Sequence, residues 1–176
     1  AYEWHKMSRK KPYYLFGLLF LIISFYSAYK IRTTVGEDYI YFLFIILICI
    51  STDIGGYIFG KIFKGPKLTK ISPKKTYSGV IGGYLFSIII LYFWLSSNLF
   101  IEPQELNSNI FIIIIIISTV SQIGDIIISY FKRLSEIKDT GRIIPGHGGL
   151  LDRIDGMIFS FPFAYMVFKI NIFQYL

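Results

Sequence analysis

The sequence predicts an all-α, polytopic integral membrane protein with about five transmembrane helices and two basic cytoplasmic loops. Three observations predict it. Hydrophobic residues make up 54% of the 176-residue chain and charged residues only 16%, against about a quarter charged in soluble domains; the mean hydropathy is +0.57. The apolar residues come in unbroken runs, such as the isoleucines at 112–117, more than a water-soluble domain of this size can bury. The net charge of +7 is carried mainly between the runs, as expected of loops that face anionic lipid or a phosphorylated substrate.

Five segments approach the roughly 20 residues that a helix needs to cross a bilayer: 13–29, 39–60, 80–101, 109–131 and 156–172. The first follows Lys6, Arg9, Lys10 and Lys11 with no small-residue cleavage site, so it is no signal peptide. The chain opens on Ala1, and we expect it to start partway through a longer protein. The fifth is the weakest because Pro162 interrupts it, although membrane helices tolerate proline. Lysines 61, 64, 67, 70, 74 and 75 lie between the second and third segments, and Lys132, Arg133, Lys138, Arg142 and Arg153 between the fourth and fifth. The segments around 36–38 and 102–105 are acidic or mixed. The positive-inside rule then puts the N-terminus and both long loops in the cytoplasm and the C-terminus outside. Residues 1–176 read as one membrane-embedded domain. Cys49, alone in an apolar run, reads as a small buried hydrophobe.

Two acids stand where lipid is expected. Asp53 sits in the second span and Asp125 in the fourth, both in the cytoplasmic half. A carboxylate there costs about 2.5–3.5 kcal/mol on insertion scales, so it faces protein or a watery cavity. Ser118, Gln122, Asp125 and Ser129 recur every three or four residues and share one helix face. Interhelical hydrogen bonding explains such serines equally well, but a carboxylate needs a cation. Asp53 serves either a substrate or a lysine partner. Gly55, Gly56 and Gly60 read as helix packing.

The first basic loop carries Ser72-Pro-Lys74-Lys75-Thr76, then Gly79. Its ammonium groups, hydroxyls and bare backbone suit phosphate, and they suit an ordinary lipid-facing loop too. The second loop interleaves Lys132, Arg133, Lys138, Arg142 and Arg153 with Asp139, Asp152 and Asp155. Next to a buried aspartate, that mixture suits a polyphosphate held with a divalent cation: carboxylates bind the metal, the metal bridges phosphate oxygens, and cations neutralise the rest. His147, in a glycine-rich turn, either donates to phosphate, acts as an acid or bonds the turn's own backbone. No second histidine lies near it to make a zinc site.

The second loop resembles the signature of the phosphatidate cytidylyltransferase family: Ser129, Lys132-Arg133, Lys138-Asp139, His147-Gly148-Gly149 and Asp152-Arg153-Ile154-Asp155. Gln122-Ile-Gly-Asp125, the Ser72–Thr76 loop with Gly79 and Gly82-Gly83, and Asp53 with Tyr57, Gly60 and Lys61 are similar to further family elements, and Tyr2-Glu3-Trp4 to a trace of an earlier one. Where the family often has Trp-Glu after Lys-Lys-Thr, this chain has Tyr77-Ser78. Family members are usually longer, with more N-terminal spans.

The resemblance implies a nucleotidyltransferase that turns CTP and phosphatidate into CDP-diacylglycerol and pyrophosphate, in a bacterial-type inner (cell) membrane with its site facing the cytoplasm. It implies Asp125, Asp152, Lys132 and Arg133 as catalytic residues, and Asp125, Asp152 and Asp155 as ligands of Mg²⁺, with K⁺ a candidate second cation. Ser72, Lys74, Lys75, Thr76, Ser129, Lys138, His147 and Arg153 would bind substrate. Membrane lipid is a partner, a homodimer is compatible, and nucleic acid is not expected. Two alternatives remain at this point: a CTP-dependent transferase for another lipid phosphate, and a transporter, because buried acids also mark ion pathways.

Overall fold

The computed structural model describes residues 1–34, 39–96, 108–141, 143 and 148–169. Among them the chain forms six helices: α1 (Tyr2–Ser8), α2 (Tyr14–Thr34), α3 (Ile40–Phe63), α4 (Tyr77–Ser96), α5 (Ser108–Leu134) and α6 (Leu151–Lys169). An antiparallel bridge between Lys67 and Thr76 pinches the α3–α4 loop. Helices α2, α3, α4 and α5 are long and apolar enough to cross a membrane. Their outward residues, such as Phe16, Ile22, Ile81, Ile89 and Ile123, are exposed, as the surface of a lipid-facing bundle should be. The 36–38 and 102–105 segments lie outside the described residues.

The helices overrun the apolar segments that predict them. Helix α5 continues past Phe131 to Leu134, and α6 begins at Leu151 rather than at 156. In each case the added turn is polar, so apolar periodicity does not mark it, while backbone hydrogen bonding continues. Helix α1 is a one-to-two-turn helix that no apolar run announces.

Helices α3 and α4 pack through glycine. A Cβ at Gly79 would lie 2.8 Å from the Gly56 carbonyl oxygen, and one at Gly55 would lie 2.5 Å from the Gly82 carbonyl oxygen. The packing role read for Gly55 and Gly56 is therefore what the structure has, with the partner glycines supplied by α4. Helix α6 leans on α2 for a different reason. Pro162 has no N–H to give the carbonyl of Ile158. The Ser24 hydroxyl of α2 donates to that carbonyl at 2.7 Å instead, so the proline break becomes an interhelical tie. Cys49 is fully buried within the α3–α5–α6 core, beside Ile48, Ile114 and Phe161.

Substituting Gly55→Leu should cost about 1–3 kcal/mol, the usual price of overpacking a tight interface. Ile123→Ala, on the lipid side, should stay within about 0.5 kcal/mol. Unfolding of both variants in mixed micelles measures the contrast.

Candidate functional site

The site forms where α3, α5 and α6 approach the two loops. Asp125 lies nine residues before the end of α5 and Asp53 ten before the end of α3, so both are about 14 Å inside their helices. The polar stripe of α5 faces inward as the spacing predicts. Ser118 accepts from Thr52 of α3 at 2.8 Å and from Gln122 at 3.4 Å, and the Ser129 hydroxyl donates to Asp125 at 3.4 Å. The cation that Asp125 requires comes from the first loop: Lys75 Nζ sits 2.5 Å from Asp125 Oδ2. The same ammonium reaches the Gln122 carbonyl at 3.5 Å.

Around this pair charged side chains gather from four elements. Asp53 of α3, which is exposed, lies within electrostatic reach of Asp125, Lys75 and Arg153. Asp155 of α6, which is buried, lies within reach of Asp125, Asp53 and Lys132. Asp155 also accepts from the Gly156 amide at 2.9 Å. Three carboxylates that sense one another repel, and Lys75, Lys132 and Arg153 offset that repulsion.

Asp152, in the first turn of α6 and ahead of its apolar stretch, organises the second loop. Its Oδ1 holds Lys132 Nζ at 3.0 Å, and its Oδ2 accepts from the amides of Thr140 and Gly149, both at 2.9 Å. Burial alone would raise its carboxyl, but the Gly149 amide, Lys132 and the Thr140 amide outweigh burial and hold it below the usual carboxylate range. Gly148 has φ +89°, and a Cβ there would lie 2.9 Å from Asp152 Oδ2. A side chain at 148 would therefore strain the backbone and crowd the carboxylate.

The end of α5 is shaped for the same loop. Ile137 N donates to the Lys132 carbonyl and Glu136 N to the Arg133 carbonyl, both at 3.0 Å, with Glu136 at φ 59°. That is a Schellman turn, and it reverses the chain directly after Lys132-Arg133. Arg133 joins the loops, donating to the Ile137 carbonyl at 3.1 Å and to the Ile71 carbonyl at 3.5 Å.

The remaining expected site residues fall into three groups. Thr76 caps α4, its hydroxyl oxygen accepting from the Gly79 amide at 3.1 Å. Ser72 closes the preceding turn, its carbonyl accepting from the Lys75 amide at 3.0 Å. Lys74, Lys138 and Arg153 are solvent-exposed. His147 and Arg142 lie outside the described residues. Ser78, which stands where the family often has glutamate, donates to the Lys64 carbonyl at 2.5 Å and so secures the start of the first loop.

Sequence reasoning placed Glu3 only within the family-like Tyr2-Glu3-Trp4 trace and gave it no part in the site. Its carboxylate is buried and accepts from the amides of Leu150 at 2.8 Å and Leu151 at 2.6 Å and from the Thr140 hydroxyl at 3.1 Å. The available signal was an acid beside a tryptophan in an otherwise basic segment.

Among the described residues no three His, Cys, Asp or Glu side chains converge as a ready-made metal cage. The donors nevertheless fit a hard divalent cation in kind. They are carboxylate oxygens, clustered and mutually repelling, and such ions keep waters and substrate phosphates as their other ligands.

A cluster of carboxylates and cations where membrane-length apolar helices meet two loops defines the class, a helical membrane protein with a charged site, and comparison with known proteins gives the family. The Cytidylyltransferase family matches residues 3–171, and the chain belongs to it. A Rickettsia felis protein named phosphatidate cytidylyltransferase is 38% identical over 177 residues, covering 94% of this chain and 74% of its own length. A Rickettsia prowazekii protein of the same name is 38% identical over 176 residues, covering 97% and 75%. One from Staphylococcus saprophyticus is 40% identical over 149 residues, covering 84% and 55%.

Thr76→Val should destabilise the chain by about 1 kcal/mol through loss of the α4 cap, and Thr76→Ser should recover most of it. Thermal unfolding in detergent gives both values.

Proposed function

We propose that this chain is a CTP:phosphatidate cytidylyltransferase. The observation that carries the reading is the run of relatives bearing that name at 35–40% identity over most of the chain. A phosphate oxygen of phosphatidate attacks the α-phosphorus of CTP. The bond from that phosphorus to the oxygen bridging the β-phosphate breaks, and pyrophosphate leaves with the electron pair. The products are CDP-diacylglycerol and pyrophosphate. The nucleophile is already ionised at neutral pH, so no strong base is required. The barrier is electrostatic, because two polyanions must meet and stay in line.

The chain's residues supply what that barrier needs. Lys132 is buried and fixed by Asp152, so it presents charge to phosphate at little reorganisation cost. Lys75 exchanges its contact with Asp125 for phosphate when substrate enters. Arg133, Arg153, Lys74 and Lys138 neutralise the rest. Ser129 orients Asp125, while Thr76 and Ser72 set the shape of the first loop. Asp125 and Asp155 would hold Mg²⁺, with Asp152 bracing the loop above them; the ion, when bound, neutralises phosphate oxygens and polarises the phosphorus. A second cation such as K⁺ would share the Asp53 side of the site.

The whole chain acts as one catalytic membrane unit of the inner membrane, and α6 serves as the fifth span. Both basic loops face the cytoplasm, where CTP is dissolved, while phosphatidate enters sideways from the inner leaflet. A homodimer is compatible with this arrangement.

In detergent with CTP, phosphatidate and Mg²⁺, the chain should form CDP-diacylglycerol. Asp125→Asn should lower the rate at least about 100-fold, and a chelator should abolish it. A wild-type rate in Asp125→Asn would remove that residue from the site. In whole cells, a cysteine at Lys70 should resist a membrane-impermeant maleimide until the membrane is permeabilised. Labelling of intact cells would reverse the topology.

A further inference from the structure

The two halves of the second loop are held by two carboxylates, and only one of them belongs to the loop. Asp152 binds the Thr140 and Gly149 amides. Glu3 binds the Leu150 and Leu151 amides and the Thr140 hydroxyl. Thr140 is thus gripped from both sides, and the amides of three consecutive residues, 149 to 151, end on carboxylate oxygens. These amides open α6, where the helix dipole also favours negative charge.

Helix α1 delivers Glu3 with unusual fixity for a seven-residue helix. Trp4 is buried, its indole N–H donates to the Tyr14 carbonyl at 3.0 Å, and its ring meets Phe131 edge-on at 5.5 Å. Phe131 is the residue before Lys132. Helix α1 therefore contacts the end of α5 through Trp4 and the start of α6 through Glu3. There is little room to substitute around the carboxylate: a Cβ on Gly149 would lie 2.6 Å from either Glu3 oxygen, and one on Gly141 would lie 2.7 Å from Oε1.

We infer that Glu3 is a positioning residue for the transfer reaction: it locks the signature loop onto the start of α6, so that Asp152 presents Lys132 to the phosphates. The inference rests on the proposed cytidylyl transfer. Glu3 touches neither substrate and acts through Asp152 and Lys132. Without its charge, the Leu150 and Leu151 amides and the Thr140 hydroxyl lose their charged acceptor, Asp152 loses its fixed frame, and Lys132 is no longer held in one place.

The test uses the full chain in detergent and compares wild type, Glu3→Gln, Glu3→Asp, Lys132→Gln and the Glu3→Gln/Lys132→Gln double variant. Steady-state rates with CTP and phosphatidate are read below the melting temperature of every variant, beside amide hydrogen exchange over residues 149–151. Glu3→Gln should lower kcat about 10-fold or more with KM for CTP within about 3-fold, and Glu3→Asp should recover part of the loss. Because the two residues act in series, the double variant should be hardly slower than Lys132→Gln alone. Exchange at Leu150 and Leu151, whose amides end on Glu3, should rise in Glu3→Gln. Unchanged kcat, a loss in the double variant equal to the product of the single losses, or unchanged exchange would each overturn the inference. An inactive wild type would instead count against cytidylyl transfer. In that case the exchange arm still decides whether Glu3 locks the loop.

Discussion

A carboxylate inside a membrane helix is tolerated only with a cation or an aqueous opening beside it, and the Lys75–Asp125 ion pair meets that condition here. It draws the α3–α4 loop over α5, which otherwise presents isoleucine on its other faces. Asp53 lies within reach of both members of the pair and of Arg153, and Asp155 within reach of Asp125, Asp53 and Lys132, so acids and bases gather around it. The pair is half-open to solvent, so its own contribution to stability is modest. Its consequence is geometric: a lysine stands where the repelling carboxylates need a positive charge.

The second loop uses a different device. Its Thr140, Gly149, Leu150 and Leu151 amides are satisfied by carboxylates rather than by regular structure, and the glycines at 148 and 149 leave room for those carboxylates to approach. Such an arrangement is rigid while every oxygen is occupied. It ties the placement of Lys132 to residues at the far end of the chain. The Schellman turn after α5 and the Ser24 bond to the proline-freed Ile158 carbonyl do comparable work with backbone groups, fixing where the loop leaves one helix and how the next helix packs.

Much of this was legible in the sequence. The stripe of Ser118, Gln122, Asp125 and Ser129 follows from helical period alone, and it does face α3 and the loop. The glycine faces of α3 and α4 and the burial of Cys49 follow from residue size and hydropathy. Partner choice was not legible. Nothing in the spacing says that Lys75 rather than Lys74 reaches Asp125, or that Lys132 rather than Arg133 reaches Asp152, because both pairings form across elements. Glu3 was hidden for a stronger reason. Its bond to Leu150 spans 147 positions, and its helix is too short for periodicity to reveal. The polar first turn of α6 was missed because hydropathy marks where a helix is apolar, not where it begins.

The central claim is that Asp53, Asp125 and Asp155 act as one charged site in cytidylyl transfer. It can be tested with Asp53→Asn, Asp155→Asn and their double variant, by measuring the rate of CDP-diacylglycerol formation in detergent at saturating CTP. The account predicts a large loss in each single variant and a double variant hardly slower than the worse of the two. A double loss equal to the product of independent single losses, or near-wild-type rates in both single variants, would contradict it.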